Sequence, residues 1–94
     1  MTDRKKGMYY WEEINFYKSG QPHYRASKNF KTRAEAVKFG KTQFKKGRIV
    51  QARLWYSKNI LSDVQAGDIN TKGQYTREDW AERLAKKRAL RKLV

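Results

Sequence analysis

Residues 19–35 read Ser19-Gly20-Gln21-Pro22-His23-Tyr24-Arg25-Ala26-Ser27-Lys28-Asn29-Phe30-Lys31-Thr32-Arg33-Ala34-Glu35, and they divide into a turn, a strand and the start of a helix. Ser19 to Pro22 is turn chemistry, with glycine and proline side by side with small polar residues. From His23 to Phe30 the side chains alternate, Tyr24, Ala26, Lys28 and Phe30 against His23, Arg25, Ser27 and Asn29, which predicts a strand. Upstream, Met8 to Tyr17 is dense in Tyr, Trp, Ile and Phe, residues that fit a pleated surface. Two such runs around one short turn predict an antiparallel hairpin. Downstream, Thr32-Arg33-Ala34-Glu35 is a capping box, in which the Thr hydroxyl accepts from the Glu amide and the Glu carboxylate reaches back to the Thr amide. The helix it opens extends to about Lys46, with Gly47 as its stop.

Working outward, Val37, Gly40 and Phe44 share one face of that helix, flanked by Ala36. Lys38, Lys41 and Lys45 share another by the same 3.6-residue period. Gly40 costs roughly 1 kcal/mol against Ala in a helix interior, so a close approach of helix to sheet is the reason expected for it. Arg48 to Lys58 returns to strand character. Val50, Ala52, Leu54 and Tyr56 are expected to face the core, leaving Gln51, Arg53 and Trp55 more accessible. Residues 59–74 are expected to be a loop, holding at most one helical turn at Ser62-Asp63-Val64-Gln65. A second helix is expected at 77–93, with Thr76 as cap, Asp79 at its third position and Tyr75 stapled to Trp80. Acids crowd its start and cations its end, in the order that suits the helix dipole.

The fold expected is therefore α+β, a small antiparallel sheet of order β-β-α-β-α, with the first helix packed on the sheet and a basic C-terminal helix. Residues 1–7 read as a flexible basic arm, and 8–94 as a single domain. The chain has 94 residues, enough for one domain, and its aromatic fraction of 14% offsets a modest hydrophobic fraction of 38%.

Lys and Arg number 23 against 9 Asp and Glu, a formal charge of +14. Charge of one sign repels itself in a compact state, so the excess points to a polyanionic partner. Nucleic acid is the commonest, because each phosphate contact releases condensed counterions. The contact residues expected are Lys18, Arg25, Lys28 and Arg53 on the sheet, Lys38, Lys41 and Lys45 on the first helix, and Arg83, Lys86, Lys87, Arg88, Arg91 and Lys92 on the last. Tyr9, Trp11, Tyr17 and Trp55 are candidates for base stacking or anchoring; most of the hairpin aromatics are expected in the core, with one or two of Tyr9, Trp11 and Tyr17 on the face opposite Tyr10, Ile14 and Phe16.

Enzymatic chemistry is not expected. There is no cysteine, and His23 is the one histidine. Glu12 and Glu13 are adjacent in a strand and point to opposite faces. Nothing in the sequence fixes Asp63 and Asp68 together as metal ligands. No metal, cofactor or small-molecule substrate is expected. The N-terminus has no apolar run after its charges, and no stretch approaches membrane-spanning length, so a cytoplasmic protein is expected, in host cytoplasm or nucleoid if phage-encoded.

The stretch from Trp11 to Phe39, with its basic strand pair, glycine turn and Phe30-x-Thr32-x-x-Glu35-Ala36 pattern, resembles the Arm-type (AP2-like) DNA-binding domain of phage integrases. The resemblance implies a sheet that enters the major groove with a helix behind it. It places His23, Arg25, Ser27 and Lys28 toward DNA and Lys18 and Gln21 at the turn, with Phe30, Thr32, Glu35 and Ala36 in structural roles. The chain departs from that family in having a strand after the helix, a further basic helix and no recombinase domain. The function expected is a small phage or mobile-element accessory protein that binds nucleic acid, DNA before RNA. The rival is a module that docks on an acidic host protein and inhibits or recruits it.

Overall fold

A computed structural model of the chain describes residues 5–59 and 61–77. The elements run β1 (Tyr9–Phe16), β2 (Pro22–Ala26), α1 (Arg33–Lys45), β3 (Gln51–Asn59), β4 (Ser62–Ile69) and β5 (Tyr75–Arg77). All strand pairs are antiparallel, and the sheet order is β2-β1-β3-β4-β5. The hairpin of β1 and β2 comes first. The helix then carries the chain back so that β3 pairs with the free side of β1, and β4 and β5 extend the sheet outward.

This corrects the expected architecture. The order is β-β-α-β-β-β, and the sheet has five strands. The stretch 59–74, expected to be a loop, contains the eight residues of β4. The helix expected at 77–93 does not begin at Arg77, which with Tyr75 and Thr76 forms β5. Residues 78–93 lie outside the described residues, as do the helix cations Arg83, Lys86, Lys87, Arg88, Arg91 and Lys92 and residues 1–4 of the arm. The end of that arm is held, since the Gly7 amide donates to the Ser57 carbonyl at 2.7 Å. Among the described residues no helix is long and apolar enough to cross a membrane.

The helix is bounded by the residues whose chemistry defines it. Thr32 is extended and its hydroxyl accepts from the Glu35 amide at 3.2 Å. Lys46 closes the other end, and Gly47 follows at φ 73°, where a side chain is disfavoured.

Register decides which side chains the helix covers. Trp11 pairs with Leu54 and Glu13 with Ala52 across β1 and β3, while Ala52 pairs with Ile69 and Leu54 with Gly67 across β3 and β4. Trp11, Leu54, Ala52 and Ile69 are buried against Ala36, Phe30, Ile49 and Ala66. The Trp11 indole N–H donates to the Ala36 carbonyl at 2.6 Å, which ties the core ring to the helix backbone. A Cβ on Gly40 would stand 2.6 Å from Trp11 Cζ2 and 2.8 Å from Ile69 Cδ1. Glycine there lets the helix axis come down onto the sheet.

One irregularity joins the helix to the far side of the sheet. The β3–β4 register shifts between Leu54 and Trp55, which leaves Ala66 as an extra residue between Gln65 and Gly67. Such a bulge takes a backbone group out of the ladder. The Ala66 carbonyl accepts instead from the Arg33 guanidinium and from the Tyr75 hydroxyl. Arg33 also donates to the Tyr75 hydroxyl at 3.1 Å and lies over the Tyr9 ring, 5.4 Å from its centroid. The Tyr75 ring crosses Gly67, whose φ is 152°, and meets Trp11 edge-on at 6.4 Å.

Candidate nucleic-acid interface

The outward stripe of α1 is cationic. Lys38, Lys41 and Lys45 are exposed and follow one another at three- and four-residue steps, so they stand in a row on one helix face. Beside the row lies a groove lined by Arg33, Ala34, Val37, Lys38 and Lys41 from the helix and by Arg77 from β5. Among the described residues its lining holds no carboxylate. Its floor is the short apolar pair Ala34 and Val37, and its walls come from elements far apart in sequence. The arrangement suits a string of negative charges, with Lys38, Lys41 and Arg77 as exposed point charges. Arg33 is already committed to Ala66, Tyr75 and Tyr9.

The end of the β1–β2 hairpin is the other conspicuous surface. Phe16 is 53% exposed, Tyr17 59% and Tyr24 58%. Phe16 faces Pro22 and Ile14 faces Tyr24 across the ladder, so Phe16 and Tyr24 are diagonal neighbours on the face away from α1. Tyr17 lies against His23 with ring centroids 4.5 Å apart. The turn closes through Tyr17 and Gln21, with Gly20 at φ 89°. Lys18 is exposed within it.

The other residues singled out from the sequence are divided among different surroundings. Arg25 is exposed but pairs with buried Glu13 at 3.4 Å, and Arg53 pairs with Glu12 at 3.4 Å. Arg53 also faces Asp68 in register, so on the sheet face away from the helix it stands between two carboxylates, whereas the Arg25–Glu13 pair lies on the helix side. Lys28 spans two rings, 5.6 Å from Phe30 and 5.9 Å from Phe39. Ser27, which the integrase resemblance places toward DNA, is buried; its hydroxyl accepts from the Trp11 amide at 2.8 Å and donates to the Lys28 carbonyl at 2.9 Å. Asp63 accepts from the Tyr10 hydroxyl.

The stacking candidates need one clear correction. Trp11 is 0% exposed and belongs to the core, so it presents no ring face. Tyr9 is half-buried, packed on Tyr56 at 4.9 Å and under Arg33. Trp55 is half-buried on the face away from the helix, opposite Tyr10. Tyr17 is exposed as expected. Phe16 and Tyr24 stand among the hairpin aromatics of the sequence but not among its chosen stacking candidates, and Arg77 is not among its expected contacts. Tyr24 was legible as an alternating strand residue beside a turn, and Arg77 was hidden by its assignment to a helix.

Compared with protein-family models, with curated proteins and with solved structures, the chain has no significant match in any of the three.

Proposed function

We propose that this protein binds nucleic acid, with DNA the first substrate to test, and that it does so mainly through phosphate contacts along α1 and the adjoining end of β5. The observation that carries the reading is the groove of Lys38, Lys41 and Arg77, cationic on both walls and free of carboxylates among the described residues. The charge of +14 supports it, since long-range attraction of that size raises encounter rates with any polyanion. The paired arginines Arg25 and Arg53 enter only as a secondary contribution, because Glu13 and Glu12 already neutralise them.

Phosphate contacts of this kind give affinity without choosing a sequence. Fluorescence anisotropy of a labelled duplex at several salt concentrations tests the reading. Binding is expected to weaken steeply with salt. Lys38→Ala, Lys41→Ala and Arg77→Ala are each expected to lower the slope of log K against log salt by about one. Slopes unchanged in all three variants would remove the groove from the interface. Dominance of one or two aromatic anchors with silent lysines is the pattern of docking on an acidic protein instead.

A further inference from the structure

We propose that the exposed rings at the end of the β1–β2 hairpin form a base-stacking platform, so that the preferred ligand is a single strand rather than a duplex. The proposal rests on the nucleic-acid reading above and adds a second contact surface to it, on the opposite edge of the sheet. Three large rings, Phe16, Tyr17 and Tyr24, are each more than half exposed within one hairpin end. Burying such a side chain stabilises a fold by about 1.5–3 kcal/mol, and a domain this small has few of them to leave in water. Clustered exposure of this kind marks an interaction surface.

The chemistry around the rings selects the partner. From Ile14 to Ala34 the sequence contains no acidic residue, while Lys18, Arg25, Lys28, Lys31 and Arg33 fall within it. Glu12, two positions before Ile14 on the same strand face as Phe16 and Tyr24, is paired with Arg53, and Glu13, on the opposite face, is buried and paired with Arg25. Exposed aromatic faces with Lys18 in the adjoining turn, in a stretch of chain without acidic residues, complement a ligand that alternates flat aromatic rings with negative charges, and a nucleic-acid strand is such a ligand. Base stacking on aromatic side chains accepts any base, because each has a π-face. In a duplex those faces are covered by neighbouring base pairs, so the platform has purchase only on unpaired bases. Phe16 and Tyr24 share the face away from α1 and are the pair assigned to hold bases. Tyr17, with one ring face against His23, has its other face for the same use.

The test compares an oligothymidylate, a duplex of equal charge and an inorganic polyphosphate by anisotropy and competition, using the full chain. The wild type is expected to bind the oligothymidylate more tightly than the duplex, and polyphosphate is expected to compete poorly with it. Tyr24→Ala and Phe16→Ala are each expected to weaken oligothymidylate binding by about 5- to 150-fold, the equivalent of roughly 1–3 kcal/mol per stacked base. Duplex affinity and the salt slope are expected to stay put, and Tyr24→Phe to keep the wild-type affinity. Polyphosphate competing as well as the oligonucleotide overturns the platform even where a variant fails to fold. Unchanged oligothymidylate binding in both alanine variants overturns it too, and leaves the groove reading standing. Failure of the wild type to bind either nucleic acid at physiological salt removes both readings together, and tight binding to anionic vesicles in that case would reassign the rings to a lipid surface.

Discussion

Gly40 and Trp11 show how one missing carbon fixes the distance between two layers. Alanine is the better helix former by about 1 kcal/mol, so propensity alone predicts that Gly40→Ala stabilises the protein. The added Cβ would meet the Trp11 ring at 2.6–2.7 Å. That ring has no room to retreat, being fully buried and hydrogen-bonded to Ala36. Overpacking a core of this kind costs about 1–3 kcal/mol. Gly40→Ala is therefore expected to lower the urea midpoint with little change in slope, and an increase in midpoint would refute the close approach. The sequence hinted at this contact through the glycine but could not name its partner. In β1 both alternating sets are aromatic, Tyr9 and Trp11 against Tyr10 and Phe16, so periodicity could not say which set was covered. Register with Leu54 and Ala52 says it.

At the level of elements, α1 owes its position to its ends. Thr32→Ala removes the acceptor of the Glu35 amide and is expected to cost about 1 kcal/mol, seen as a lower melting temperature and faster hydrogen exchange at Glu35. Thr32→Ser is expected to restore most of it. This helix and the first three strands were legible because capping chemistry and alternation are written locally. β4 was not. Its sequence, Ser62-Asp63-Val64-Gln65-Ala66-Gly67-Asp68-Ile69, has two β-branched residues and a pattern that also fits a helix start. It is a strand because β3 offers a ladder from Ala52 to Asn59 and the bulge at Ala66 corrects the register. β5 is three residues long, and Tyr75-Thr76 before acidic residues carries a helix-start signature, whereas Tyr75, Thr76 and Arg77 pair with β4 as a strand. Hence the lysine row of the candidate groove was readable from a 3.6-residue period, while its second wall, Arg77, depended on a strand that only the whole sheet creates.

For the whole molecule, the main fact is an uneven distribution of compensated charge. Glu12 and Glu13 neutralise Arg53 and Arg25 on the sheet, so much of the net positive field of the described residues comes from the helix stripe, the groove and the hairpin turn. The slope variants and the ring variants proposed above probe two regions of one field, and their effects are expected to be independent, since the rings stand at the end of the β1–β2 hairpin while Lys38, Lys41 and Arg77 line a groove to which neither hairpin strand contributes a residue.

The bulge at Ala66 gives the groove a property that its cations alone would not. Arg33 ties the first turn of α1 to Ala66 and Tyr75, so the helix that bears the row of lysines and the strand that bears Arg77 are joined through one side chain. A binding surface set in advance loses less conformational freedom when it is filled. Arg33→Lys keeps the charge but replaces the planar guanidinium, whose Nη1 donates to both acceptors while its plane lies over the Tyr9 ring, with a compact and more strongly hydrated ammonium. It is expected to weaken duplex binding severalfold while leaving the salt slope nearly intact, with the loss appearing in calorimetry as a larger entropic penalty. A guanidinium that touches no phosphate would in that way set the spacing at which phosphates are met.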